Sequence, residues 1–117
     1  YSGAKNPVYI IRNQELIEIK GDKRPIGAYD DNNHLKFNNV EFELLDGDTI
    51  YSFSDGFPDQ FGGPKGKKFM YRQFRDTLLS IKQLPLQEQC EILNTKIENW
   101  RGNYEQIDDI LIIGIRV

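Results

Sequence analysis

A chain of 117 residues with 38% hydrophobic and 28% charged residues has the size and composition of one domain built on a single core. Its net charge of −3 and pI near 5.1 argue against nucleic acid or an anionic membrane as the main partner. No apolar run approaches the roughly 18 residues that span a bilayer, no signal-peptide pattern opens the chain, and the single cysteine, Cys90, excludes an internal disulfide and suits a reducing cytoplasm.

The opening YSGAKNP lacks an initiator Met and reads as the middle of a strand-and-turn pattern, so residues 1–117 are expected to be a fragment of a longer polypeptide. PVYIIRN (7–13) and ELIEIKG (15–21) are β-rich runs joined at Asn13-Gln14, which predicts a hairpin. Residues 21–34 are polar and turn-rich, with PIGAY a short edge segment at most. LKFNNVEFELL (35–45) alternates Val40, Phe42 and Leu44 with Glu41 and Glu43, the pattern of a strand with one wet face. DGD (46–48) is a tight turn, and TIYSFS (49–54) the next strand.

The period then changes. Met70, Phe74, Leu78 and Ile81 fall at helical spacing and predict a helix over about 68–82. Leu86, Cys90, Leu93, Ile97 and Trp100 repeat it over about 86–101, with Pro85 at the first helical position and Arg101-Gly102 at the end. On this stripe Cys90 and Trp100 read as core residues. DDILIIGIRV (108–117) is an almost unbroken apolar run, which implies burial on both faces and a central strand. The expected class is α+β: an antiparallel sheet with two helices on one face. Its other face is left for a partner, either further chain or a second copy.

Two acidic turns stand at strand ends: Asp55-Gly56 after TIYSFS, and Asp108-Asp109 before ILIIGIRV. If these strands pair antiparallel, Asp55 and Asp108 meet at one rim. Paired carboxylates repel unless a proton or cation sits between them, and Mg²⁺ or Mn²⁺ prefers such oxygen ligands. Gly56 would let the backbone turn without blocking the site. A pair of solvated turns gives the same spacing, and spacing alone does not choose between them.

LLDGDTIYSFSDGFPDQFGG, two helices and NYEQIDDILIIGIRV, in that order, resemble the C-terminal half of a metal-dependent protein phosphatase of the PPM type, in its bacterial SpoIIE-like branch. The opening SGAKNPVYIIRNQELIEIKGDKRPIG fits the segment that precedes these motifs, so the likeness covers nearly the whole chain. It implies half of an αββα sandwich with a two-metal (Mn²⁺ or Mg²⁺) site at one end, where water attacks a phosphoserine or phosphothreonine. Asp55 matches the SDG ligand, with Gly56 its turn residue. Asp108 matches the last aspartate ligand, while Asp109 need not coordinate. The resemblance further implies the output domain of a cytoplasmic bacterial signalling protein, attached in some cases to a membrane sensor. Its substrate would be a phosphorylated regulatory protein such as an anti-sigma-factor antagonist.

Two departures bear on activity. Where many members read Gly-His-Asn-Pro, this chain has Gly3-Ala4-Lys5-Asn6-Pro7, and nothing upstream of Asp55 matches the family's N-terminal ligands. A two-carboxylate remnant binds a cation weakly. The isolated chain is therefore expected to be inert; the alternative is a phosphatase-like binding module that relays a signal without chemistry. A homodimer through the uncovered sheet face is a further expectation.

GGPKGKKF (62–69) fails the P-loop pattern, since Lys68 replaces the required Ser or Thr. Lys67 and Lys68, with Lys65, Arg72 and Arg75 nearby, could attract a substrate phosphate, although a solvated loop is the blander reading. His34, the single histidine, lacks a Cys or His partner and reads as a surface residue. Asp59 reads as a helix-start carboxylate.

Overall fold

A computed structural model describes residues 1–26 and 36–117. His34 and most of the PIGAY segment lie outside the described residues. The hairpin forms as expected: β1 (Val8–Arg12) pairs with β2 (Glu15–Ile19) in a register that sets Arg12 opposite Glu15. Asn13 takes the left-handed turn conformation, φ 55°, which asparagine tolerates better than most residues. β3 (Thr49–Phe53) pairs antiparallel with β1, and β6 (Ile112–Arg116) with β3, so the sheet order is β2-β1-β3-β6.

Between β3 and β6 come a helical turn α1 (Gly56–Asp59), a small hairpin of β4 (Phe61–Gly62) and β5 (Lys67–Lys68), then helices α2 (Tyr71–Ile81) and α3 (Leu86–Arg101). The class is α+β, as the sequence pattern predicts. α2 starts later than expected because Lys67-Lys68 pair with Phe61-Gly62, and Met70 has φ 76°, which no right-handed helix contains.

Alternation on the strands divides the sheet into two faces. Tyr9, Ile11, Tyr51 and Phe53 point at the helices and pack with Phe57, Phe69, Phe74, Leu78, Ile81, Leu93 and Ile97 into one core. Aromatic rings dominate it: Phe53 meets Phe74 edge-on at 5.0 Å, Phe57 meets Phe69 at 5.1 Å, and Phe69 meets Trp100 at 5.4 Å. The Tyr9 hydroxyl sits in this core with no hydrogen-bond partner among the described residues, and burial, with Glu18 adding to it, pushes its pKa up to about 12. Tyr9→Phe is therefore expected to stabilise the fold by about 1 kcal/mol, since it removes an unpaired polar group. It should also remove Tyr9's share of the stability expected to be lost between about pH 10, where unfolded tyrosine ionises, and pH 12, while the raised Tyr51 and Tyr71 keep theirs. Urea unfolding across that range checks both.

Four expectations need correction. Residues 36–45 form no strand: β1 and β3 are paired on both sides, and the segment joins neither of the outer strands, β2 and β6. The segment is held instead by Tyr1, whose backbone exchanges hydrogen bonds with Val40, and by Arg12, which donates to the Glu43 carbonyl. Arg12 also grips Asp48 at 2.7 Å, and Asp48 accepts from the Leu45 amide. β6 is an edge strand, not a central one, because among the described residues it forms a ladder with β3 alone. Leu111, Ile113 and Ile115 remain exposed, Ile115 by 55%.

Cys90 is exposed rather than buried. Gln89 takes the inward position of α3, together with Leu93 and Ile97 at four-residue steps. The amide is satisfied there: Gln89 Nε2 donates to the Leu84 carbonyl at 2.9 Å, and Gln89 Oε1 accepts from the Tyr51 hydroxyl at 2.6 Å. Trp100 remains at the core's margin, donating through Nε1 to the Gln60 carbonyl at 3.0 Å. Pro85 precedes α3 in extended geometry and does not open it.

Candidate metal centre

The pairing of β3 with β6 decides where the acidic turns go. Phe53 faces Ile112, so the chain leaving β3 and the chain entering β6 run together at the same rim of the sheet. Ser54 ties them: its amide donates to the Leu111 carbonyl at 3.0 Å, its hydroxyl donates to the Asp109 carbonyl at 2.6 Å, and that hydroxyl accepts from the Leu111 amide at 3.0 Å. Gly56 lies so close to this crossing that an added Cβ would stand 2.3 Å from the Asp109 carbonyl oxygen. Only glycine lets the two backbones approach in this way.

Asp55 therefore sits beside the Asp108-Asp109 turn. It occupies the N-cap position of α1, yet its side chain makes no capping hydrogen bond, so its carboxylate is left for another partner. Asp108 is exposed; its Oδ1 accepts from the Asp109 amide at 2.8 Å, and its carbonyl accepts from Gln106 Nε2 at 3.0 Å. Asp59 closes α1 and pairs with Lys68 at 3.2 Å. The Tyr71 phenol records the local field: burial first, then the carboxylates of Asp59, Asp55 and Glu18, raise its pKa above the ordinary tyrosine value.

The donor set suits a hard divalent cation in kind, because it consists of carboxylate and carbonyl oxygens. It falls short in number. Among the described residues no cluster of three or more His, Cys, Asp or Glu side chains could hold a metal. Asp55 and Asp108, the two expected ligands, have no third such side chain placed with them among the described residues.

The basic loop stands next to it. Lys68 pairs with Asp59, and its ammonium lies 5.9 Å from the Phe61 ring centroid, so its charge is partly matched. Lys67 is exposed on β5. Arg75 is 3.8 Å from Glu18. The role of Ser54 was not foreseen; its signal is its place immediately before Asp55-Gly56, where a short hydroxyl can lock the turn to a neighbouring strand.

A family model described as stage II sporulation protein E (SpoIIE) matches residues 1–117. Among solved structures, the SiaA-PP2C domain of Pseudomonas aeruginosa is 37% identical over 97% of this chain, with a TM-score of 0.87. The match covers 44% of that protein, so this chain spans less than half its length. A structure of the PP2C phosphatase domain and a fragment of the regulatory domain of SpoIIE from Bacillus subtilis aligns with 97% of this chain and 32% of its own length, at 22% identity and a TM-score of 0.69. The SpoIIE phosphatase domain from the same organism, in a crystal form without domain swapping, gives 22% identity and 0.63, over 98% of this chain and 47% of that one. The two Bacillus structures bear on the fold alone. No curated protein sequence matches the chain.

Proposed function

Because the chain belongs to the SpoIIE family of PP2C-type phosphatase domains, we propose that it carries the C-terminal share of a metal-dependent protein serine/threonine phosphatase site. The observation that carries this reading is the crossing of β3 and β6, which sets the Asp55-Gly56 turn against the backbone of Asp109. Asp55 and Asp108 supply carboxylate ligands. Ser54 holds their two turns at a fixed separation, and Gly56 keeps the space between them clear. Mn²⁺ or Mg²⁺ at this rim would neutralise phosphoryl charge and make water a better nucleophile. Lys67 and Lys68 draw the substrate phosphate towards the rim by charge alone. The substrate is a phosphorylated regulatory protein, of the anti-sigma-factor-antagonist kind, and the setting a cytoplasmic signalling chain.

With two carboxylates, the chain by itself is expected to release no phosphate. The shortage of ligands is also what favours the second reading, a phosphatase-like module that works by contact. One experiment separates them. The matching part of the SiaA-PP2C domain is replaced by this chain, and phosphate release from a phosphoserine peptide is followed with Mn²⁺. The phosphatase reading requires activity in the chimera and a fall of about 1,000-fold on Asp55→Ala, equivalent to about 4 kcal/mol of barrier. A folded chimera without activity, or one indifferent to Asp55→Ala, supports the relay module instead.

A further inference from the structure

The sheet has a second polar end, at the opposite tip of β3 from the Asp55 rim. A cavity of about 360 Å³ opens there between the 45–48 turn, the end of β1 and the connection from α2 to α3. Its charged lining is Arg12, Lys82 and Arg116 against Asp46 and Asp48. No local motif marks it, because these five residues come from four separate segments.

Strand register brings them together. Ile11, Thr49 and Arg116 stand side by side across β1, β3 and β6, and opposed residues of antiparallel strands share a face. Arg116 therefore turns to the helix side, as Ile11 does. Its Nε donates to the Thr49 hydroxyl at 3.2 Å, and its Nη2 to the Lys82 and Leu84 carbonyls at 2.8 and 3.1 Å. All three acceptors are neutral, so they fix the guanidinium without cancelling its charge. Among the described residues these bonds leave Nη1 for a further acceptor.

Charge decides what the cavity can take. Arg12 is matched by Asp48 at 2.7 Å, but among the described residues neither Lys82 nor Arg116 has a carboxylate partner. Against them stand the last carbonyls of α2, equivalent to about half a charge. Asp46 also opposes them, yet it is exposed on the turn, where water and salt screen it. Positive charge is in excess here, although the chain as a whole carries −3. A fixed guanidinium beside a flexible ammonium suits phosphate, since Arg supplies directed bonds and Lys a point charge. Two unmatched cations also favour a dianion over a single carboxylate.

We propose that this cavity binds a phosphate dianion, free or carried on a phosphorylated side chain, between Lys82 and Arg116. The site stands apart from the phosphatase reading, which concerns the other end of the sheet.

The test follows amide NMR signals of the 117-residue chain during titration with inorganic phosphate and, separately, with N-acetyl-phosphoserine. It is run at about pH 8, where both are dianions. A short Gly-Ser tail after Val117 keeps a terminal carboxylate away from the turn, since the Gly47 amide donates to the Val117 carbonyl. The expected result is saturable shifts at Gly47, Thr49, Gln83 and Arg116 with a Kd of about 1 mM. Lys82→Gln should weaken binding by about 10-fold, and Asp46→Asn should tighten it by about 3-fold by removing the opposing charge. Arg116→Gln should abolish binding; Lys82→Gln remains decisive if that change unsettles the α2–α3 connection. Lys96→Gln, exposed on α3 outside the cavity, removes the same charge and should change nothing. Tighter binding of phosphoserine identifies a phosphorylated side chain as the ligand, and tighter binding of phosphate the free ion; the proposal stands in either case. Absence of saturation overturns it. So do shifts confined to Lys67 and Lys68, or equal losses on Lys96→Gln and Lys82→Gln.

Discussion

Phe74→Ala is expected to lower the unfolding free energy by about 4 kcal/mol. Phe74 is fully buried, and its ring is where the sheet, α1 and α2 meet: it packs against Phe53 at 5.0 Å, Phe57 at 4.9 Å and Tyr9 at 6.2 Å. Alanine would remove partners from three other rings at once, and an aromatic cluster built from separate elements cannot collapse into the gap without moving a strand or a helix. A domain of this size has only about 5–15 kcal/mol in total, so Tm should fall by about 15 °C. Thermal unfolding followed by circular dichroism decides it, and a Tm within a few degrees of wild type would show that Phe74 is not the keystone of the core.

The second large effect is at Gly56→Ala. The new methyl group would meet the Asp109 carbonyl oxygen at 2.3 Å and its carbon at 2.8 Å. Both obstacles are backbone, so no rotamer change relieves them, and the two turns must part. The expected cost is about 3 kcal/mol in stability. A functional loss should accompany it, because the movement that relieves the clash separates Asp55 from the Asp108-Asp109 turn and strains the Ser54 bridge. In the SiaA chimera, Gly56→Ala should raise the Mn²⁺ concentration needed for half-maximal activity, even at temperatures where the protein remains folded. Wild-type melting together with wild-type Mn²⁺ dependence would mean that the close crossing has no part in the site.

Local chemistry explains which parts of this fold were legible in the sequence. The Asn13-Gln14 turn and the span of α3 are set by residues a few positions apart, and both appear where the pattern places them. The rim was legible for a related reason: Asp55 and Asp108 flank two strands, and antiparallel pairing of those strands suffices to join their ends. The strand expected at 35–45 fails because alternation reports a side-chain period and not a free ladder. Cys90 and Gln89 exchange roles because hydrophobicity cannot foresee that Tyr51 and Leu84 will satisfy a buried amide. Neither α1 nor the β4-β5 hairpin has a periodic pattern to betray it. They are held by tertiary contacts, such as the Gly63 amide donating to the Trp100 carbonyl at 2.8 Å.

The Arg12–Asp48 clamp gives the molecule a weak point towards acid. Hydrogen bonds from Arg12 and from the Leu45 amide hold the Asp48 carboxyl below the usual aspartate range. The stabilisation is therefore complete above that range and is lost as pH falls through the lowered value. Protonation would release Leu45 directly and loosen Arg12, which also holds the Glu43 carbonyl. Acidification thus acts as an unlatching step for the 43–48 connection, while the aromatic interior, which carries no carboxylate, has no reason to open with it.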